Sequence, residues 1–218
     1  MRLLTVVLVG VGLLTACAQS ELTPTPLVST AVTLAPSQDA TLFETGTGTI
    51  SSGSGGYLFA GKTGQDLRRR ALLQFDVAGA VPAGATITGV TLTLNMTRTV
   101  ARATDVSLHR VDASSGEGGS LAGPRGGGEG AASLSGDATW VHRSFDTEKW
   151  DTPGGDFNAA AGATSSVEGI GTFTWESDGM GADVQGRLDD PAAASATAAA
   201  AVASAPATAS ATAAAAAA

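Results

Sequence analysis

The sequence predicts an all-β fold, an antiparallel β-sandwich, and three observations carry that prediction. Residues 90–97 alternate strictly, with Val90, Leu92, Leu94 and Met96 on one side and Thr91, Thr93, Asn95 and Thr97 on the other. That is the period of a half-buried strand. Glycine contributes 29 residues, nearly double its usual share, and Gly, Thr and Val recur with little Glu or Lys, which suits short strands joined by turns. Short apolar runs separated by turn signals follow one another through residues 35–190, a length natural for one domain.

The elements before that body read as an address and a tether. Met1-Arg2 is a short positive start, and the uncharged stretch Leu3 to Leu14 is mostly Leu, Val and Gly. A spanning helix needs roughly 20 apolar residues, so this run has the proportions of a signal-peptide core. It ends in Leu14-Thr15-Ala16-Cys17, which resembles the bacterial lipobox: a branched apolar residue, two small residues, and the cysteine that takes the lipid. Cys17 is the single cysteine of the chain, so an internal disulfide is excluded, and a thiolate is the nucleophile that lipidation needs. The expectation is that residues 1–16 are removed as a lipoprotein signal peptide and that lipidated Cys17 anchors the protein outside the cytoplasm on a bacterial membrane. Residues 17–34 then form the tether, with Thr23-Pro24-Thr25-Pro26 extended and the pattern turning to strand around Val32-Thr33-Leu34.

Within the body, 39–44 reads as a short strand and 46–56 as a flexible loop. Residues 57–61 and 68–76 read as strands, the second apolar on both faces and therefore central. Residues 82–97 open with a turn and continue into the alternating strand, and 105–112 forms the next. Residues 113–138 lack periodicity and predict a long loop. Strands are predicted at 138–145, 165–169 and 171–175, and a short helix at 179–190, where Met180, Val184 and Leu188 are spaced four apart. Residues 191–218 are Ala-rich and uncharged, without alternation, and are expected to supply neither strand nor amphipathic helix.

Charge narrows the partners. The formal net charge is −8, from 12 basic and 20 acidic residues, and loss of Arg2 with the leader takes it to about −9. This charge argues against nucleic acid or anionic lipid as the partner, because recognition of either needs a basic face.

The order "DATLFE", a Gly-rich loop, "YLFAGKTG", "RRALLQFDVAGAVPAGATITGVTLTLNM", "VSLHRV", "GDATWVHRSFDTEKWDTPGGDF" and "ADVQGRLDDP" resembles the DNRLRE-type domain, related to the disaggregatase repeats. The resemblance spans roughly residues 33–191. It implies a jelly-roll-like sandwich, a secreted and usually non-catalytic module, some of whose kind are grouped with carbohydrate-binding modules. Such domains continue after the "LDDP" position with two more strands, and Ala-rich sequence stands there instead. A sandwich lacking its last one or two strands is therefore expected, with exposed apolar face and unpaired edges.

Candidate chemistry is sparse. Glu117, Glu129, Asp137, Asp146, Glu148, Asp151 and Asp156 lie in loops flanking Trp140. Two of them facing each other across a bond would make a glycosidase, but solvated loop acids are the simpler expectation. The two histidines each precede an arginine, and no G-x-S-x-G elbow accompanies them. His109, Arg110, His142 and Arg143 are instead candidates for a basic strip that would suit uronic-acid polymers. Trp150, set among turn residues, is the candidate platform for stacking a sugar ring, while Trp140 and Trp175 fall in strand-like stretches and are expected in the core. Arg68-Arg69-Arg70 looks like a basic patch, but alternation separates Arg69 from Arg70, and the resemblance implies a structural arginine at this strand entrance, paired with an acid such as Asp39 or Asp76. No cofactor is expected beyond a structural calcium in the loops.

The function expected from these features is a lipid-anchored, non-catalytic surface module that binds or organises polysaccharide or another envelope component. The alternatives are a structural or adhesion module without a small ligand, a polysaccharide-cleaving enzyme, and a chain left without function by its missing strands.

Overall fold

The computed structural model describes residues 3–9, 29–123, 127–190 and 199–202. The fold is all-β, with antiparallel strands in two principal sheets and two short helices. Cys17 and the Pro-rich tether lie outside the described residues.

The four-stranded sheet has as its long member β7 (Thr86–Met96). Val90, Leu92 and Met96 are buried, as the alternation predicts. β13 (Gly171–Glu176) pairs along one edge of β7, and β1 (Leu3–Val9) along the other, with β2 (Ser29–Leu34) beyond β1. β2 starts at Ser29, earlier than its sequence pattern suggests, and alternates with Val32 and Leu34 packed on the core.

The six-stranded sheet runs β12 (Ala163–Val167), β8 (Thr104–Arg110), β14 (Ala199–Val202), β6 (Arg68–Gln74) and β3 (Gln38–Phe43), with β5 (Gly61–Lys62) also on β6. β6 is central and apolar on both faces, as expected: Ala71 and Leu73 join the main core, and Leu72 joins a second cluster on the opposite face.

The main core lies between the two sheets. Val90 and Leu92 of β7 and Trp175 of β13 meet Leu73 of β6 and Val106 and Leu108 of β8. Trp175 reaches across from one sheet to the other, its Nε1 donating to Val106 O at 2.7 Å. One end of the core is closed by α2 (Asp178–Asp189), the helix expected at 179–190. Ser177 caps it by accepting Met180 N, Asp178 and Arg187 suit the helix dipole, and Met180 and Leu188 are buried. Gln185 ties the helix to the start of β7, accepting Ile87 N at 2.7 Å and donating to Ala85 O.

Several expectations are corrected. Residues 57–60 form no strand, although Leu58 and Ala60 are buried in the main core. Packing and a side-chain hydrogen bond fix this segment, with Phe59 N donating to Thr41 Oγ1 and its ring 6.3 Å from Phe43. The loop at 46–56 is not uniformly loose: β4 (Ile50–Ser51) pairs with β9 (Ala131–Ala132), and Ser51 and Ser52 are buried. The strand predicted at 138–145 is reduced to β10 (His142–Ser144), which forms a hairpin with β11 (Glu148–Lys149).

The Ala-rich segment was expected to supply no strand, and Ala199–Val202 overturns that. β14 lies between β6 and β8, with Ala200 opposite Leu72 and His109. Alanine is a weak strand former, but the backbone of β14 pairs with β6 on one side and β8 on the other. β14 in the six-stranded sheet and β1 in the four-stranded sheet are both interior strands, paired on both sides. No helix among the described residues is long and apolar enough to cross a membrane.

Candidate functional site

The residues singled out by the sequence gather on and around the outer face of the six-stranded sheet. That face is covered by residues 111–158, whose folding depends on polar groups more than on strands. Asp137 is fully buried, and its carboxylate accepts Ser120 N at 3.2 Å and Leu134 N at 2.6 Å. Thr139, also fully buried, accepts Val141 N and His142 N through Oγ1. Ser51 Oγ donates to Ala138 O at 2.7 Å, pinning the loop to β4. Asp156 accepts the backbone N–H groups of Asp151 and Thr152. Two of these acids, Asp137 and Asp156, therefore act on the backbone, while Glu148 pairs with Arg143 at 3.0 Å. Asp146 sits at the tip of the β10–β11 hairpin with φ of 66°, a backbone region that Asp tolerates better than most residues.

Beneath this cover is a second apolar cluster: Ala40, Leu42, Leu72, Val111, Ala138, Trp140 and Trp150. Here the reading of Trp150 is corrected. The residue is 4% exposed, and its Nε1 donates to Thr139 O at 2.9 Å. Its turn-rich neighbourhood folds back over the sheet, so the ring serves as core and offers no platform. Trp140 and Trp175 are buried, as their settings suggest. The exposed aromatic among the described residues is Tyr57, 39% exposed, and its only sequence signal was a run of flanking glycines and serines.

Arg70 links the sheet to this cluster. Its guanidinium carbon lies 4.8 Å from the Trp140 ring centre and 4.7 Å from that of Phe157, and Nη1 donates to Gly154 O. Burial pulls its pKa down to about 10, which still leaves it cationic at neutral pH. Aromatic faces thus hold Arg70, and Asp76 caps α1 (Val77–Ala80) by accepting Gly79 N. Arg69 points to the other side, over the Phe43 ring at 4.8 Å, and Arg68 pairs with Glu44.

Gly154 is indispensable to this clasp. Its φ is +96°, and a Cβ there would sit 2.5 Å from Arg70 Nη1 and 2.8 Å from Trp140 Cζ2. Gly154→Ala is expected to cost about 1–3 kcal/mol from backbone strain alone. Urea denaturation measures it, and an unchanged midpoint would refute the clasp.

The two histidines are held alike. His109, on β8, makes a Nδ1 contact of 2.8 Å with Asn158 O, and its ring meets Phe157 edge-on at 5.3 Å. Because a carbonyl only accepts, Nδ1 carries the proton, and neutral His109 presents Nε2 as an acceptor. His142 places Nδ1 3.2 Å from Thr139 Oγ1 and meets Phe145 edge-on at 5.3 Å. Neither Nε2 has a hydrogen-bond partner among the described residues. The neighbouring arginines are ion-paired: Arg110 with Asp112 at 3.0 Å and Asp183 at 3.7 Å, Arg143 with Glu148. Among the described residues no hydrogen bond or ion pair joins the His109–Arg110 pair to the His142–Arg143 pair.

Two cavities flank the six-stranded sheet. One of about 30 Å³ lies in the main core among residues including Leu58, Val106 and Trp175, and one of about 10 Å³ lies by Asp39 and Gly116. Both fall far below the roughly 300 Å³ at which ligand pockets begin. No group of three His, Cys, Asp or Glu placed to hold a metal occurs among the described residues. Comparison with protein-family models, with curated proteins and with solved structures yields no match.

Proposed function

We propose that the chain is a non-catalytic, lipid-anchored module of the bacterial surface, of the DNRLRE-like, jelly-roll-like kind, that binds acidic polysaccharide across an open face. The observation that carries this reading is the matched setting of His109 and His142. Each is anchored through Nδ1, braced on a phenylalanine, followed by an arginine, and left with an unpartnered Nε2. Neutral His109, its Nδ1–H given to a carbonyl, can accept from a sugar hydroxyl through Nε2, while His142, whose Nδ1 faces the Thr139 hydroxyl, can accept or donate through Nε2 according to its tautomer. Arg110 and Arg143, held by acids at their sides, add donors for a uronic carboxylate. With Trp150 buried, ring stacking falls to Tyr57.

The structural-module alternative has its own support, since both arginines already have acid partners and Trp150 is core. A thermal melt of the protein with neutral and uronic-acid polymers separates the two. A polymer at a hundred times its dissociation constant is expected to add about 2.7 kcal/mol of stability. The shift should vanish in His109→Ala, in His142→Ala and in Tyr57→Ala. A melt that no polymer moves would favour the structural module.

A further inference from the structure

The position of β1 has a consequence for the exported protein. Leu3–Val9 is an interior strand of the four-stranded sheet, hydrogen-bonded on both sides. Leu4 stands opposite Leu34 of β2 and Leu92 of β7, and Val6 opposite Val32 and Val90. Leu4 is 4% exposed and belongs to the main core. These are the residues that leader removal would take away, and this inference rests on that part of the proposed function. Their loss would leave β2 and β7 with facing rows of unpaired N–H and C=O groups above an open strip of the main core. β2 has no other strand partner in its sheet.

The segments outside the described strands are poorly suited by composition to the place of β1. Residues 17–28 carry Glu21 and two prolines, and proline cannot donate to an interior ladder. Residues 203–218 and 191–198 are Ala, Ser and Thr with Pro191 and Pro206, too small to refill the place of Leu4. A second processed copy lacks the strand equally.

We propose that the processed chain is a strand acceptor. The position between β2 and β7 takes an extended segment from a different polypeptide: about seven residues, uncharged, free of proline, rich in Leu and Val, and antiparallel to both neighbours. β1 itself supplies the template for length, direction and composition. Main-chain hydrogen bonds would supply the affinity, and the Leu4 position would supply the selectivity.

The probe is a labelled peptide of residues 3–9 flanked by lysines. It is added to the chain processed at Cys17, with Cys17→Ser replacing the lipid site, and to the full chain. The processed chain is expected to bind the peptide saturably and to gain hydrogen-exchange protection in β2 and β7, or to become cooperatively folded only when the peptide is present. The full chain, its position already filled, should bind at least about tenfold more weakly, as should a peptide carrying Val6→Pro with the processed chain. Equal binding to both chains, no binding to the processed chain, or self-association in place of peptide binding would overturn the proposal. The N-terminal mass of the exported protein reports separately on the leader. Retention of residues 3–9 there would refute the leader, while the peptide result still decides the acceptor.

Discussion

Asp137→Ala is expected to lower the unfolding free energy by about 2–5 kcal/mol, because it strands two loop N–H groups that each cost about 1–3 kcal/mol when buried without an acceptor. Those groups belong to Ser120 and Leu134, the donors to a carboxylate that is fully buried. The backbone of Asp137 adds to its role, since its carbonyl accepts Phe145 N at 2.7 Å. Loss of the carboxylate should therefore loosen residues 113–145 as a unit. Asp137→Asn keeps one carbonyl acceptor and should cost distinctly less. Urea denaturation of both variants checks the ordering. Equal, small losses would mean that water or loop rearrangement replaces the carboxylate, and that this residue does not organise the cover.

Trp175→Ala should cost about 3–5 kcal/mol, the range for removing a large aromatic from a core. Two effects combine. The ring fills the space between the sheets beside Val106, and the indole N–H supplies a cross-sheet hydrogen bond to Val106 O. Trp175→Phe restores most of the volume but not the bond, and is expected to fall between the two. The existing cavity of about 30 Å³ is lined by the same residue, so truncation enlarges a void that is already present. The check is the melting temperature of each variant together with amide exchange in β8. If Trp175→Ala melted within a degree or two of the parent, the description of this core would be wrong.

Both predictions concern residues whose importance was unevenly visible in the sequence. Trp175 stands in "GTFTW", a readable strand with an aromatic on its buried side. Asp137 is one of seven acids in the loops flanking Trp140, and nothing local distinguishes it from the others. Its burial follows from where residues 53, 118 and 120 lie, far away in sequence. Trp150 shows the same limit from the other direction. Glycine, proline and aspartate around it signal a turn truthfully, but a turn can fold inward, and this one seats the indole under Thr139.

What the sequence alone determined is the periodic part of the molecule. The alternation of β7, the doubly apolar β6, the strands β3, β8, β12 and β13 and the capped helix α2 follow from local spacing, because side-chain period and backbone conformation are coupled residue by residue. The tertiary structure decided what depends on backbone pairing and distant contact. Leu3–Val9 and Ala199–Val202 became strands because each lies between two strands whose backbone donors and acceptors it pairs, and Leu4 also enters the main core. Arg70 took two aromatic rings as partners, and the loop over it closed around a buried carboxylate, since those groups meet only after the chain has folded.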